Sequence, residues 1–180
     1  MNRPGRYLAA VGGITALLLA LIAWTPAAAS SVNHRSERGD VLQFRIMFGN
    51  MAPFIGAAGA IRGVAAAPLP WMIRSVRGDL DQNGQLKIDV DHLVLANDPS
   101  VPPQLRGKNP VPFFAGIVSC LTASGGAVAT ANVLTANFPA TMPGGNAQIH
   151  QKLTLPHPCV APIVFVTSPD GGVWFAVTGR

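Results

Sequence analysis

WMIRSVRGDLDQNGQLKIDVDHLVL, residues 71–95, is the stretch whose reading decides the fold. At its centre Asp81-Gln82-Asn83-Gly84 suits a type I turn, with Asp first and Gly last, where a left-handed backbone makes a bulge. On either side apolar and polar residues alternate with the two-residue period of a strand that buries one face. The alternation also sets the register. A two-residue loop of Asn83 and Gly84 would place Leu80 opposite Lys87, whereas a three-residue loop from Gln82 to Gly84 pairs Leu80 with Leu86 and Val76 with Val90. Only the second keeps apolar side chains together, because a slip of one residue sends every side chain to the other face. A bulged hairpin is expected.

The same period recurs on both sides. Leu42, Phe44, Ile46 and Phe48 alternate with Gln43, Arg45 and Met47, which predicts one strand starting at Val41 with the first set inward. Residues 49–67 are rich in Gly and Ala; short strands are expected near Phe54 and over 61–64, and the glycines argue against a helix. Residues 113–121 are mostly apolar, and Ala147, Ile149, Leu153 and Leu155 alternate with Gln148, His150, Lys152 and Thr154. Residues 163–167 and 173–178 read as hairpin neighbours across Pro169-Asp170-Gly171-Gly172, since proline presets one dihedral and glycine accepts positive φ. The proline-rich stretch 97–112 has no period and reads as a loop from one sheet to the other.

Some seven to nine short strands with Pro and Gly between them predict an all-β fold, an antiparallel two-sheet sandwich of Greek-key or immunoglobulin-like topology. A small β-barrel is the alternative. The first thirty residues carry the zones of a signal peptide: Arg3 and Arg6, an apolar run over 8–24, then Ala27-Ala28-Ala29 before Ser30. Residues 1–29 are assigned to that signal, 30–40 to a loose polar leader and 41–180 to a single β domain. Secretion is the expected outcome. Retention of the run as an N-terminal anchor is the alternative, because a span needs about 17 apolar residues or more.

Loss of Arg3 and Arg6 with the signal leaves 11 basic against 8 acidic residues, a net charge of +3. The cations are scattered as Arg35 and Arg38, Arg74 and Arg77, Arg106 and Lys108, without the basic run that grips nucleic acid, so neither nucleic acid nor, after cleavage, a membrane is an expected partner. Cys120 and Cys159 read as a bridge, the usual fate of two thiols in an exported chain, closing a loop of about 40 residues.

Four patterns bear on chemistry. Asp79, Asp81, Asn83 and Gly84 match the opening of a calcium loop, but its twelfth position is Val90, where a bidentate carboxylate is required. A turn without metal is therefore expected, with Asp79, Asp81 and Asn83 the residues a cation would use; no cofactor is implied. Arg-Gly-Asp occurs at 38–40, in the leader, and at 77–79, inside a strand, neither of them an exposed loop tip suited to receptor binding. His34, His92, His150 and His157 share no spacing, the only glutamate is Glu37, and no G-x-S-x-G elbow is present. Trp71 and Trp174 read as caps on the two ends of the core, with a shared small site the alternative.

Val118-Ser119-Cys120-Leu121, Phe138-Pro139-Ala140 and LPHPCVAPIVFVTSP over residues 155–169 resemble segments of small exported bacterial proteins with no assigned activity. The resemblance reaches back to Trp71. It includes both cysteines, which supports the bridge, and it implies no function. Two readings follow: a non-catalytic exported module with a structural or binding role in the cell envelope or outside the cell, and a small secreted hydrolase whose site is assembled from loops.

Overall fold

The computed structural model describes residues 39–179. The signal peptide, most of the leader, His34, Glu37 and the Arg38 of the first Arg-Gly-Asp lie outside the described residues. Eleven strands follow one another, eight of them five residues or longer, with no helix beyond two short 3-10 turns among the described residues.

The central hairpin forms as its alternation dictates. β4 (Trp71–Asp81) and β5 (Gln85–Leu95) pair antiparallel with Leu80 opposite Leu86 and Val76 opposite Val90, around the three-residue loop 82–84. Gly84 closes it at φ +79, and a Cβ there would overlap the carbonyl oxygen of Leu153. β1 (Asp40–Phe44) adds to β4 and β9 (Ala147–Lys152) to β5, giving a four-stranded sheet A in the order β1-β4-β5-β9.

The first strand departs from its alternation. It breaks at Arg45-Ile46: β1 stays in sheet A, while β2 (Met47–Gly49) crosses to the edge of sheet B. The crossing shifts the inward phase by one residue, so Phe44 and Met47 are buried and Ile46 and Phe48 face outward, contrary to the sequence expectation. A second shift lies inside the long hairpin. Val76 and Leu80 point into the core by even number, Trp71 and Ile73 by odd, and β5 changes likewise between Val90 and Leu93. Both strands change face at the same place, at Arg74-Ser75 and at Asp91-His92.

Sheet B runs β2-β11-β10-β6-β7, built from β6 (Phe113–Ser124), β7 (Ala127–Leu134), β10 (Val160–Thr167) and β11 (Val173–Thr178). Two residues of β3 (Ala65–Ala66) pair parallel with β11, and β8 (Phe138–Pro139) pairs with β6. β10 and β11 are the hairpin neighbours expected across residues 169–172. The 97–112 loop carries the chain from sheet A to sheet B. After β7, β8 pairs with β6, β9 crosses back to sheet A beside β5, and β10 returns to lie beside β6. The sheets do not close on themselves; the fold is a sandwich and not a barrel.

The main core lies between the sheets around Leu80, Leu86, Ile88, Phe114, Val118 and Val164. A second, smaller core of Val64, Ala66, Ile117, Phe165, Trp174 and Val177 lies on the outer face of sheet B. The glycine-rich strap over residues 56–64 covers it. Near Phe54 the expected strand is absent, and residues 51–54 are exposed turn followed by a 3-10 turn, Gly56–Gly59. Trp174 Nε1 donates to Gly59 O at 3.0 Å, and the Arg62 guanidinium donates to Ser119 O and Ala161 O, both at 2.8 Å. Cys120 and Cys159 form the disulfide, with Cα atoms 4.9 Å apart.

Candidate functional site

Asp81 spends its carboxylate on the turn itself. Its Oδ1 accepts from the backbone N–H of Asn83 at 2.8 Å and of Gln85 at 2.9 Å, an Asx-type arrangement that satisfies two donors the loop would otherwise leave bare. Asp79 stands opposite Lys87 in the ladder. Among the described residues no three His, Cys, Asp or Glu side chains converge to hold a metal ion.

The second Arg-Gly-Asp is sheet and not loop. Arg77 faces Asp89 and Asp79 faces Lys87 across the strands, so its charges lie in cross-strand pairs. Gly78 is a packing glycine: the ring of Phe44 and the carbonyl of Lys87 occupy the space a Cβ would need.

The strongest polar cluster sits where the hairpin changes face. Arg74 grips Asp91 with two hydrogen bonds, 2.8 and 2.6 Å, and Ser75 Oγ donates to the same carboxylate at 3.1 Å. The hydrogen bond from Arg74 holds the Asp91 carboxyl below its usual range, and the same bond raises the guanidinium. His92 follows at φ +57; its N–H donates to Asn146 Oδ1 at 2.9 Å and its Nδ1 lies 3.1 Å from Gly144 O. Serine, carboxylate and histidine are thus neighbours, but the hydroxyl donates its hydrogen bond to the carboxylate and the imidazole is engaged by backbone on the other side. A nucleophile needs its base within hydrogen-bond reach, and this order supplies a clamp on the face change instead. His150 packs on Phe138 with centroids 5.4 Å apart, and His157 is exposed beside the disulfide loop.

The two tryptophans neither cap the ends of one core nor share a site. Trp71 lies in the main core, where it stacks on Phe175, and Trp174 lies on the opposite face of sheet B under the strap. β11 separates them, since its successive side chains point to opposite faces.

Sequence reasoning missed the feature that stands out most on the surface. Ile46 and Phe48 are 63% and 60% exposed, and Met51 (60%), Phe54 (63%) and Met72 (42%) extend the same corner. Ile46 and Phe48 line one cleft, Met51 and Phe54 sit in the exposed turn that follows on the chain, and Gly49 packs against the backbone of Trp71 and Met72. Gln43, Phe44, Arg45, Ile46, Phe48 and Gly179 line that open cleft of about 210 Å³. That is below the ~300 Å³ at which small-molecule pockets begin. Arg45 is the one charged residue lining that cleft. The corner's sequence signal is an apolar set continuing across a change of sheet, which alternation alone does not reveal.

No protein-family model, curated protein or solved structure matches the chain.

Proposed function

We propose that the protein is an exported, non-catalytic β-sandwich module that binds through a surface, and that the binding surface is the apolar corner of Ile46, Phe48, Met51, Phe54 and Met72. The exposure of these side chains carries the reading. They are five of the eleven large apolar side chains exposed among the described residues, and an exposed apolar patch rimmed by polar residues marks a recognition surface. Aromatic and Met side chains are also the kinds enriched at interface centres. The cleft beside them is too small to enclose a substrate, which favours surface contact over a reaction in a pocket.

Export is supported by the basic, apolar and small-residue zones of the first thirty residues and by the disulfide, which persists in oxidising compartments. No helix of the described residues is long and apolar enough to cross a membrane. The resemblance to small exported bacterial proteins points the same way.

The corner is tested with an environment-sensitive apolar dye titrated onto the folded domain. Phe48→Ser and Phe54→Ser should each abolish most of the fluorescence enhancement while leaving the melting temperature nearly unchanged; equal enhancement in all three proteins would remove the corner from the reading. Export is tested by intact mass, which should lack residues 1–29. Turnover of an esterase, peptidase or glycosidase substrate that His92→Ala or His150→Ala abolishes would replace the module with the hydrolase.

A further inference from the structure

A sheet edge exposes a row of backbone N–H and C=O groups, and proteins blunt such edges with short strands, charges, prolines or bulges. Three of the four edges here are blunted. β1 carries Asp40 and runs into Arg45, β9 carries Lys152, and β2 is three residues long with the next carbonyl, that of Asn50, taken by Trp71 N–H. β7 is different. It is eight residues long, has no proline or bulge, pairs in unbroken register with β6, and lies in a 43-residue stretch, 109–151, without a single Asp, Glu, Lys or Arg.

Which groups face outward follows from the ladder. Thr135 N–H donates to Gly116 O on the β6 side, so by alternation the odd-numbered residues of β7 bond inward. Val128, Thr130, Asn132 and Leu134 therefore turn their N–H and C=O groups away from β6, and these make no backbone bond among the described residues. Val128 and Leu134 also expose their side chains, at 80% and 41%.

We propose that β7 is a docking edge for β7 of a second copy, added antiparallel about a two-fold axis through Ala131. The register is dictated by self-complementarity. A two-fold axis normal to the sheet pairs residues of equal parity, and centring on Ala131 sets Thr130 opposite Asn132 and Val128 opposite Leu134. Those are the residues with free backbone groups, so the four pairs exchange about eight hydrogen bonds. The two large exposed apolar side chains of the strand then cover each other. No like charges meet across the axis, because the strand and its flanks have none. The apolar corner, at the β2 edge on the far side of sheet B, stays free in the pair.

Sedimentation velocity of the disulfide-bonded domain tests this. The wild type should show a concentration-dependent dimer. Thr130→Pro removes one outward N–H without touching the β6 ladder, and it should weaken the dimer about tenfold or more. Val128→Lys and Leu134→Glu should each be monomeric alone with unchanged circular dichroism, and an equal mixture should recover the dimer, since position 128 of one copy faces position 134 of the other. A monomer at all concentrations, a dimer indifferent to Thr130→Pro, or a mixture that stays monomeric would overturn the proposal.

Discussion

Trp71 and Phe175, one from each sheet, stack their rings with centroids 4.1 Å apart and planes 25° from parallel. Phe114 meets both edge-on, at 6.3 and 5.7 Å. Three large rings from three strands thus fasten the sandwich at one point, and each is almost wholly buried. Phe175→Ala should cost about 3–5 kcal/mol by lost transfer energy and the cavity left behind. Chemical denaturation measures it; a loss under 1 kcal/mol would mean the sheets are held elsewhere.

The disulfide ties β6 to the segment entering β10 across a sequence separation of 39 residues. Replacing both cysteines by alanine should lower stability by roughly 3–4 kcal/mol, mainly through the freer unfolded chain. Equal midpoints for the oxidised and reduced wild type would contradict this.

The Arg62 guanidinium is the far anchor of the strap, and Asn132 Nδ2 returns a bond to Arg62 O at 2.9 Å. Arg62→Ala should speed hydrogen exchange at Ile61 and Val64, which bond each other's carbonyls, far more than at core strands. Uniform acceleration throughout the domain would show that strap and core open together.

Asp91, Asp98 and Asp170 all titrate below the usual 3.8 in the folded protein, held there chiefly by hydrogen bonds from Arg74, Ser100 and Ser168 respectively. The unfolded chain then binds more protons at low pH, so the stability these groups add is present above about pH 4 and lost as pH falls through their folded values. Asp170 is exposed and Asp91 and Asp98 are half-buried with their carboxylates reaching solvent, so salt should weaken the effect. Melting temperature against pH should fall below pH 4, less steeply in Asp91→Asn; an unchanged slope would count against the clamp.

Gly84→Ala should destabilise by more than about 1 kcal/mol, because φ is +79 and the Leu153 carbonyl fills the place of a Cβ. Calcium should leave the melting curve unmoved. A site at a hundred times its dissociation constant would add about 2.7 kcal/mol, so a clear rise in melting temperature would restore Asp79, Asp81 and Asn83 as ligands.

The hairpin of β4 and β5 was legible because its turn and its alternation are independent signals that agree on one register. β10 and β11 were legible from their turn, since Pro169 to Gly172 separates two apolar runs. The break after Phe44 was not, because an apolar residue stands at every second position straight through the change of sheet, and the period carries no mark of it. β7 escaped notice for the opposite reason: Ala127, Ala129, Ala131 and Asn132 have weak strand preference, and an edge strand with no buried face shows no contrast between faces. The corner was hidden by the first of these failures, since Ile46 and Phe48 had been assigned to the core. The clamp at Asp91 was hidden because Arg74, Ser75 and His92 meet only once two strands change face together.

β11 is the last strand of the described chain, yet it holds β2, among the first, with Met47 opposite Thr178. It also holds β3 and β10. A nascent chain therefore cannot complete sheet B while its C-terminal segment is still being made. Until then both cores stay unsealed. Closure comes as a late step joining distant ends, which places the domain with the slow folders of high contact order.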